Sequence, residues 1–71
     1  MQDWRAIVGR NIRGLRERNG LTQEELAFNA KIDLTYLGGI ERGKRNPSLV
    51  VMGRLADALS VPLAQLVDTK K

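Results

Sequence analysis

The sequence predicts an all-α chain, a compact bundle of five short helices. Three observations carry that expectation: apolar residues recur at three- and four-residue steps, helix start and stop signals follow one another at short intervals, and no linker, repeat or low-complexity tract interrupts them. The chain has 71 residues, 42% of them hydrophobic, which suffices for one small core and leaves no room for a deep catalytic cavity. Residues 1–71 therefore read as one domain. There is no cysteine and no histidine, so neither a disulfide framework nor the usual zinc site is available, and helix packing alone must hold the fold.

From Asp3 to Arg18, the apolar residues Trp4, Ile7, Val8, Ile12 and Leu15 mark the inner stripe of a first helix. Arg5, Arg10, Arg13, Arg16 and Arg18 take much of the remaining surface, and Asn19-Gly20 supplies a stop that tolerates positive φ. Thr22 followed by Glu25 is a capping box: the hydroxyl accepts from a free amide of the first turn while the carboxylate reaches back to the amide of Thr22. Leu26, Ala27 and Ala30 continue that second helix on one face. The pattern breaks between Asn29 and Ile32, and Asp33 starts a third helix in which the apolar positions Leu37 and Ile40 lie three apart, Tyr36 flanks them and Gly43 is the closing left-handed position. Two short helices joined by a tight turn, over about residues 22–42, form the helix-turn-helix pattern.

Lys44 to Pro47 reads as a loop, because proline disfavours helix at the residue before it. Ser48 can cap a fourth helix whose inward stripe is Leu49, Met52, Leu55, Ala56 and Leu59, with Gly53 a weak point inside it. Pro62 suits the first turn of a fifth helix through Leu63, Leu66 and Val67, and Asp68 to Lys71 reads as a frayed tail. Gly38 and Gly39 stand together inside the third helix at a propensity cost of about 1 kcal/mol each, which a close approach to a groove floor or to the second helix would justify.

The ordered strings Leu21-Thr22-Gln23-Glu24-Glu25-Leu26-Ala27, Tyr36, Ile40-Glu41-Arg42-Gly43 and Asn46-Pro47-Ser48-Leu49 resemble the Cro/C1-type helix-turn-helix family of bacterial and phage regulators. The resemblance spans Leu21 to Leu66 and implies a lambda-repressor-like DNA-binding domain whose third helix enters the major groove. It implies base readout by Leu34, Thr35, Tyr36 and Gly39. It also implies phosphate contacts from Gln23 at the start of the second helix and from Arg42, Lys44, Arg45 and Asn46 beyond the third, and a partly buried ion pair between Arg16 and Glu41. Three positions depart from the family pattern. Leu34 replaces a residue that is often polar or basic, so it either meets a thymine methyl or packs; Lys31 and Ser60 stand where relatives place glycine, and Lys31 there predicts an altered turn or a small strain.

Thr35 offers both a hydroxyl and a methyl to a base edge, two of the features by which the major groove distinguishes base pairs. The formal charge of +4 suits a polyanionic partner, double-stranded DNA in this reading. One recognition helix spans only a few base pairs, so the expected binding form is a homodimer, with Leu63, Leu66 and Val67 as its contact surface. Glu24 and Glu25 are neighbours on different sides of a helix, and the serines Ser48 and Ser60 lack a base partner, so no catalytic residues, metal site or cofactor are expected. The absence of a membrane-length apolar run leads to an expected cytoplasmic location with no membrane partner. The competing reading is a protein-binding antitoxin or adaptor whose cognate protein docks on the fifth helix or on the arginine-rich first helix.

Overall fold

A computed structural model describes residues 1–70 and is all-helical. Helices α1 (Trp4–Arg18), α2 (Gln23–Ala30), α3 (Leu34–Glu41) and α4 (Leu49–Leu59) are followed by a 3-10 turn, Leu63–Val67. The fifth element is thus not an α-helix. It is only five residues long, it lacks a side-chain cap, and its opening bond is the short-range one from the Gln65 amide to the Pro62 carbonyl, 3.0 Å.

Each α-helix begins where a short acceptor side chain can satisfy an orphan amide. Asp3, Thr22, Asp33 and Ser48 accept from the backbone of Ala6, Glu25, Tyr36 and Val51, respectively. At Thr22 the box is reciprocal, with the Thr22 amide donating to Glu25 Oε1 at 2.8 Å.

All four helices end in the same way, with one residue in the left-handed region. That residue is glycine after α1 and α3 (Gly20 and Gly43), but Lys31 (φ 59°) after α2 and Ser60 (φ 58°) after α4. Lys31 therefore keeps the turn and accepts the strain, roughly 1 kcal/mol for a residue with a Cβ.

Ile12, Leu26, Leu37, Ile40, Leu55, Leu59 and Leu66 are the large side chains with essentially no exposure, and they join the helices around one core. α1 packs on α3 and on the 3-10 turn, while α2 packs on α3 and α4. Two residues assigned to inner stripes lie outside. Leu49 is exposed because it occupies the first turn of α4, which overhangs the core; only Leu55, Ala56 and Leu59 of that stripe are buried. Trp4, the first residue of α1, is about half exposed and lines a crevice of about 170 Å³ with Val8, Pro47, Met52 and Val67.

The start of the C-terminal tail is tied down. The Asn11 amide donates to the carbonyls of Leu66 (3.0 Å) and Asp68 (2.8 Å), fixing the 3-10 turn against α1, so the expected fraying does not extend to Asp68. Lys71, the end of the expected frayed tail, lies outside the described residues. Among the described residues, no helix is long and apolar enough to cross a membrane.

Candidate nucleic-acid interface

The start of α3 is presented to solvent by its surroundings. Asp33 caps the helix, Leu37 and Ile40 anchor it in the core, and by helical geometry this leaves Leu34 and Thr35 exposed on the first turn with Tyr36 half-buried beside them. Leu34 is 41% exposed, so it is not consumed by packing within the chain.

At the other end of α3, a polar network fixes the relative placement of the first three helices. Arg16 of α1 donates Nε and Nη2 to the two carboxylate oxygens of Glu41, at 2.7 and 3.1 Å, and Nη1 to the Leu21 carbonyl at 2.9 Å. Gln23, the first residue of α2, donates its amide to Glu41 Oε1 at 2.9 Å. The last residue of α3 is thereby held by both α1 and α2. The Glu41 side chain is 3% exposed, and its hydrogen bonds to Arg16 raise the guanidinium pKa above its ordinary value, keeping the cation firmly charged.

The structure brings together residues that the sequence assigned to separate roles. One N–H of the Gln23 amide is committed to Glu41 and the Glu25 backbone amide to Thr22, leaving the second Gln23 side-chain N–H and the backbone amides of Gln23 and Glu24 for an anion. Past α3, Gly43 (φ 73°) closes the helix. Its amide donates to the Ile40 carbonyl at 3.0 Å and that of Lys44 to the Gly39 carbonyl at 2.9 Å, so the chain reverses and runs back beside the helix.

In consequence, Arg42 and Arg45 fold over α3. A Cβ built at Gly38 would lie 3.1 Å from Arg42 Nη1, one at Gly39 only 2.7 Å from Arg45 Cγ, and the Arg45 guanidinium carbon stands 5.9 Å from the centre of the Tyr36 ring. Gly39, expected among the base-reading residues, is accordingly buried under Arg45 and offers no open surface. Arg42, Lys44, Arg45 and Asn46 are exposed, and Asn46 also borders the Trp4 crevice. The basic loop leaves the C-terminal end of α3, and Arg45 brings it back along the helix to Tyr36 of the first turn.

The expected dimer residues divide. Leu63 and Val67 remain partly exposed, but Leu66 is fully buried in the core and offers no surface to a second copy, because the 3-10 turn drives it inward while Asn11 holds its carbonyl. Sequence reading missed Asn11, and also Gln23 as a partner of Glu41; long-range side-chain bonds of this kind leave no periodic signal.

Two short capped helices crossed by a left-handed turn, with the second exposing its N-terminal turn, define a helix-turn-helix module. A family model for this motif, "Helix-turn-helix", matches residues 12–66. The chain belongs to the Cro/C1-type helix-turn-helix family of transcriptional regulators.

It is 43% identical over 65 residues to the HTH-type transcriptional regulator y4dJ of Sinorhizobium fredii, covering 92% of this chain and 84% of that one. It is 38% identical to the transcriptional regulator ClgR of Mycobacterium tuberculosis, covering 84% of this chain but 54% of the longer relative. The solved structure of the restriction-modification controller protein C.AhdI from Aeromonas hydrophila superposes with a TM-score of 0.85 at 45% identity, covering 87% of this chain and 94% of that chain.

Proposed function

We propose that this regulator binds a two-fold symmetric operator in double-stranded DNA as a homodimer, with α3 in the major groove. The observation that carries the reading is the exposed first turn of α3, on a helix whose last residue is fixed by the Arg16–Glu41–Gln23 network and which is flanked by a basic loop. A major groove admits one α-helix, and Thr35 and Leu34 then meet base edges while Tyr36 borders them. The first turn of α2 faces a phosphate through backbone amides and Gln23, and Arg42 and Lys44 supply cations to further phosphates. Leu63 and Val67, the two expected contact residues that keep apolar surface, bring the second copy into place.

A transcriptional regulator and a restriction-modification controller protein of similar length, both named above, support the reading of the chain as a DNA-binding regulator.

The test separates reading from holding. Thr35→Ala is expected to lose about 1–3 kcal/mol on the preferred site and to relax base preference at one position per half-site, with little change on random duplexes. Lys44→Ala is expected to weaken all sequences nearly equally and to lower the salt slope of binding by about 1. Titrations of both variants against preferred and random duplexes at several salt concentrations decide it. Unchanged preference in Thr35→Ala would remove that residue from the groove.

A further inference from the structure

Gly38 and Gly39 are not required by backbone conformation. Positive φ occurs at Gly20 and Gly43 among the described glycines, so the pair inside α3 has ordinary helical geometry. Their use must lie in the side chains they lack. At Gly39 that space is filled by the stem of Arg45, with Cγ, Nε and Cδ at 2.7, 3.4 and 3.6 Å from where a Cβ would stand, and at Gly38 it is approached by Arg42 Nη1 at 3.1 Å. The reversal of the chain at Gly43 delivers Arg45 to this place, and the Tyr36 ring receives its guanidinium.

We infer that the glycine pair is a seat that lays the loop arginines along the recognition helix. Seated on Gly39 against Tyr36, Arg45 is a specificity-determining residue that reads base edges, and its role is not that of a phosphate holder. Residues three apart on a helix share a face, so the Arg45 stem on Gly39 runs along the same strip of α3 as Tyr36, and Gly38 lies one turn behind Thr35. A planar guanidinium with its stem already ordered loses less rotamer freedom on binding a base edge than a free side chain would, and its fork matches the two acceptors of a guanine. This also gives the interface a donor able to read guanine, which Leu34 cannot supply.

The inference rests on the proposed reading of DNA by α3, and the experiment is chosen to keep the two apart. Gly39→Ala is expected to act on binding far more than on folding. The gain in helix propensity is offset by the collision of the new Cβ with the base of the Arg45 stem, so the protein stays folded with a melting temperature within about 8 °C of wild type. The substitution unseats Arg45, so affinity for the preferred duplex falls about tenfold and preference relaxes at one base position per half-site. Arg45→Ala, which leaves the helix untouched, is expected to relax the same position, and in the Gly39→Ala background to add little.

If Arg45→Ala weakens all duplexes alike with preference intact, Arg45 is a phosphate holder and the inference is overturned. The same holds if Gly39→Ala keeps both affinity and preference. In either case a shifted preference in Thr35→Ala shows that α3 still reads DNA. A wild-type protein with no sequence preference at all would overturn the underlying reading and this inference together.

Discussion

Gly9→Ala is expected to cost about 3 kcal/mol or more, the largest effect of any single methyl added to this chain. Gly9 lies on the buried face of α1, where it meets the end of α3 backbone to backbone. A Cβ there would collide with the Ile40 carbonyl oxygen and lie 2.9 Å from that of Glu41. Neither atom can swing aside as a side chain would, because both belong to the last turn of α3. Overpacking typically costs 1–3 kcal/mol and occasionally more; with two backbone carbonyls in the way the cost here reaches about 4 kcal/mol, against a gain in helix propensity of about 1 kcal/mol. The helices must separate or tilt, and the Arg16–Glu41 pair is stretched with them. For a domain of this size, the net loss corresponds to a fall in melting temperature of roughly 12–24 °C. Gly14→Ala, at a position on the same helix where an added Cβ meets nothing within 4 Å, is the control and should melt at or above the wild-type temperature. Equal melting of the two variants would mean that α1 and α3 do not meet as described.

Arg16→Ala is expected to have an effect of the same order, about 3–5 kcal/mol, the range for removing one partner of a buried pair. The cost comes less from losing an attraction than from what remains: a Glu41 carboxylate whose side chain is 3% exposed, left with the Gln23 amide as its hydrogen-bond donor. The Leu21 carbonyl loses its donor as well. Arg13 offers the contrast, since its pair with Glu17 is more than half exposed on both sides and belongs to the class of surface pairs worth little. Thermal melts of Arg16→Ala and Arg13→Ala should therefore differ by well over 10 °C. Similar melting would show that the network does not hold the three helices together.

Most of the architecture was legible in the sequence because helix boundaries are local chemistry. The capping box at Thr22 and Glu25, the caps at Asp33 and Ser48, and the closing Gly20 and Gly43 all fall where side-chain type alone places them. Lys31 and Ser60 show that the turn geometry is imposed by the packing of the helices on either side, which overrides the residue's own preference. What stayed hidden was non-local. Trp4 and Leu49 match the helical period, yet they sit on end turns that overhang the core, and periodicity has no means of marking where a core stops. Leu66 could be assigned to an interface because nothing in the sequence says that Asn11, 55 residues away, holds its carbonyl and turns it inward. The glycine pair read as a close approach to a groove floor or to the second helix. That it is filled by Arg45 depends on a chain reversal that only the folded arrangement reveals.

The central claim is that α3 of a two-fold symmetric dimer reads sequence in duplex DNA, and selection of bound sites by the wild-type protein from a random double-stranded library tests it most directly. The account predicts enrichment of a palindromic motif whose half-sites are centred about 34 Å apart, one turn of the duplex. Recovery of no motif at low salt, or of a single unrepeated half-site bound by one chain, would contradict it.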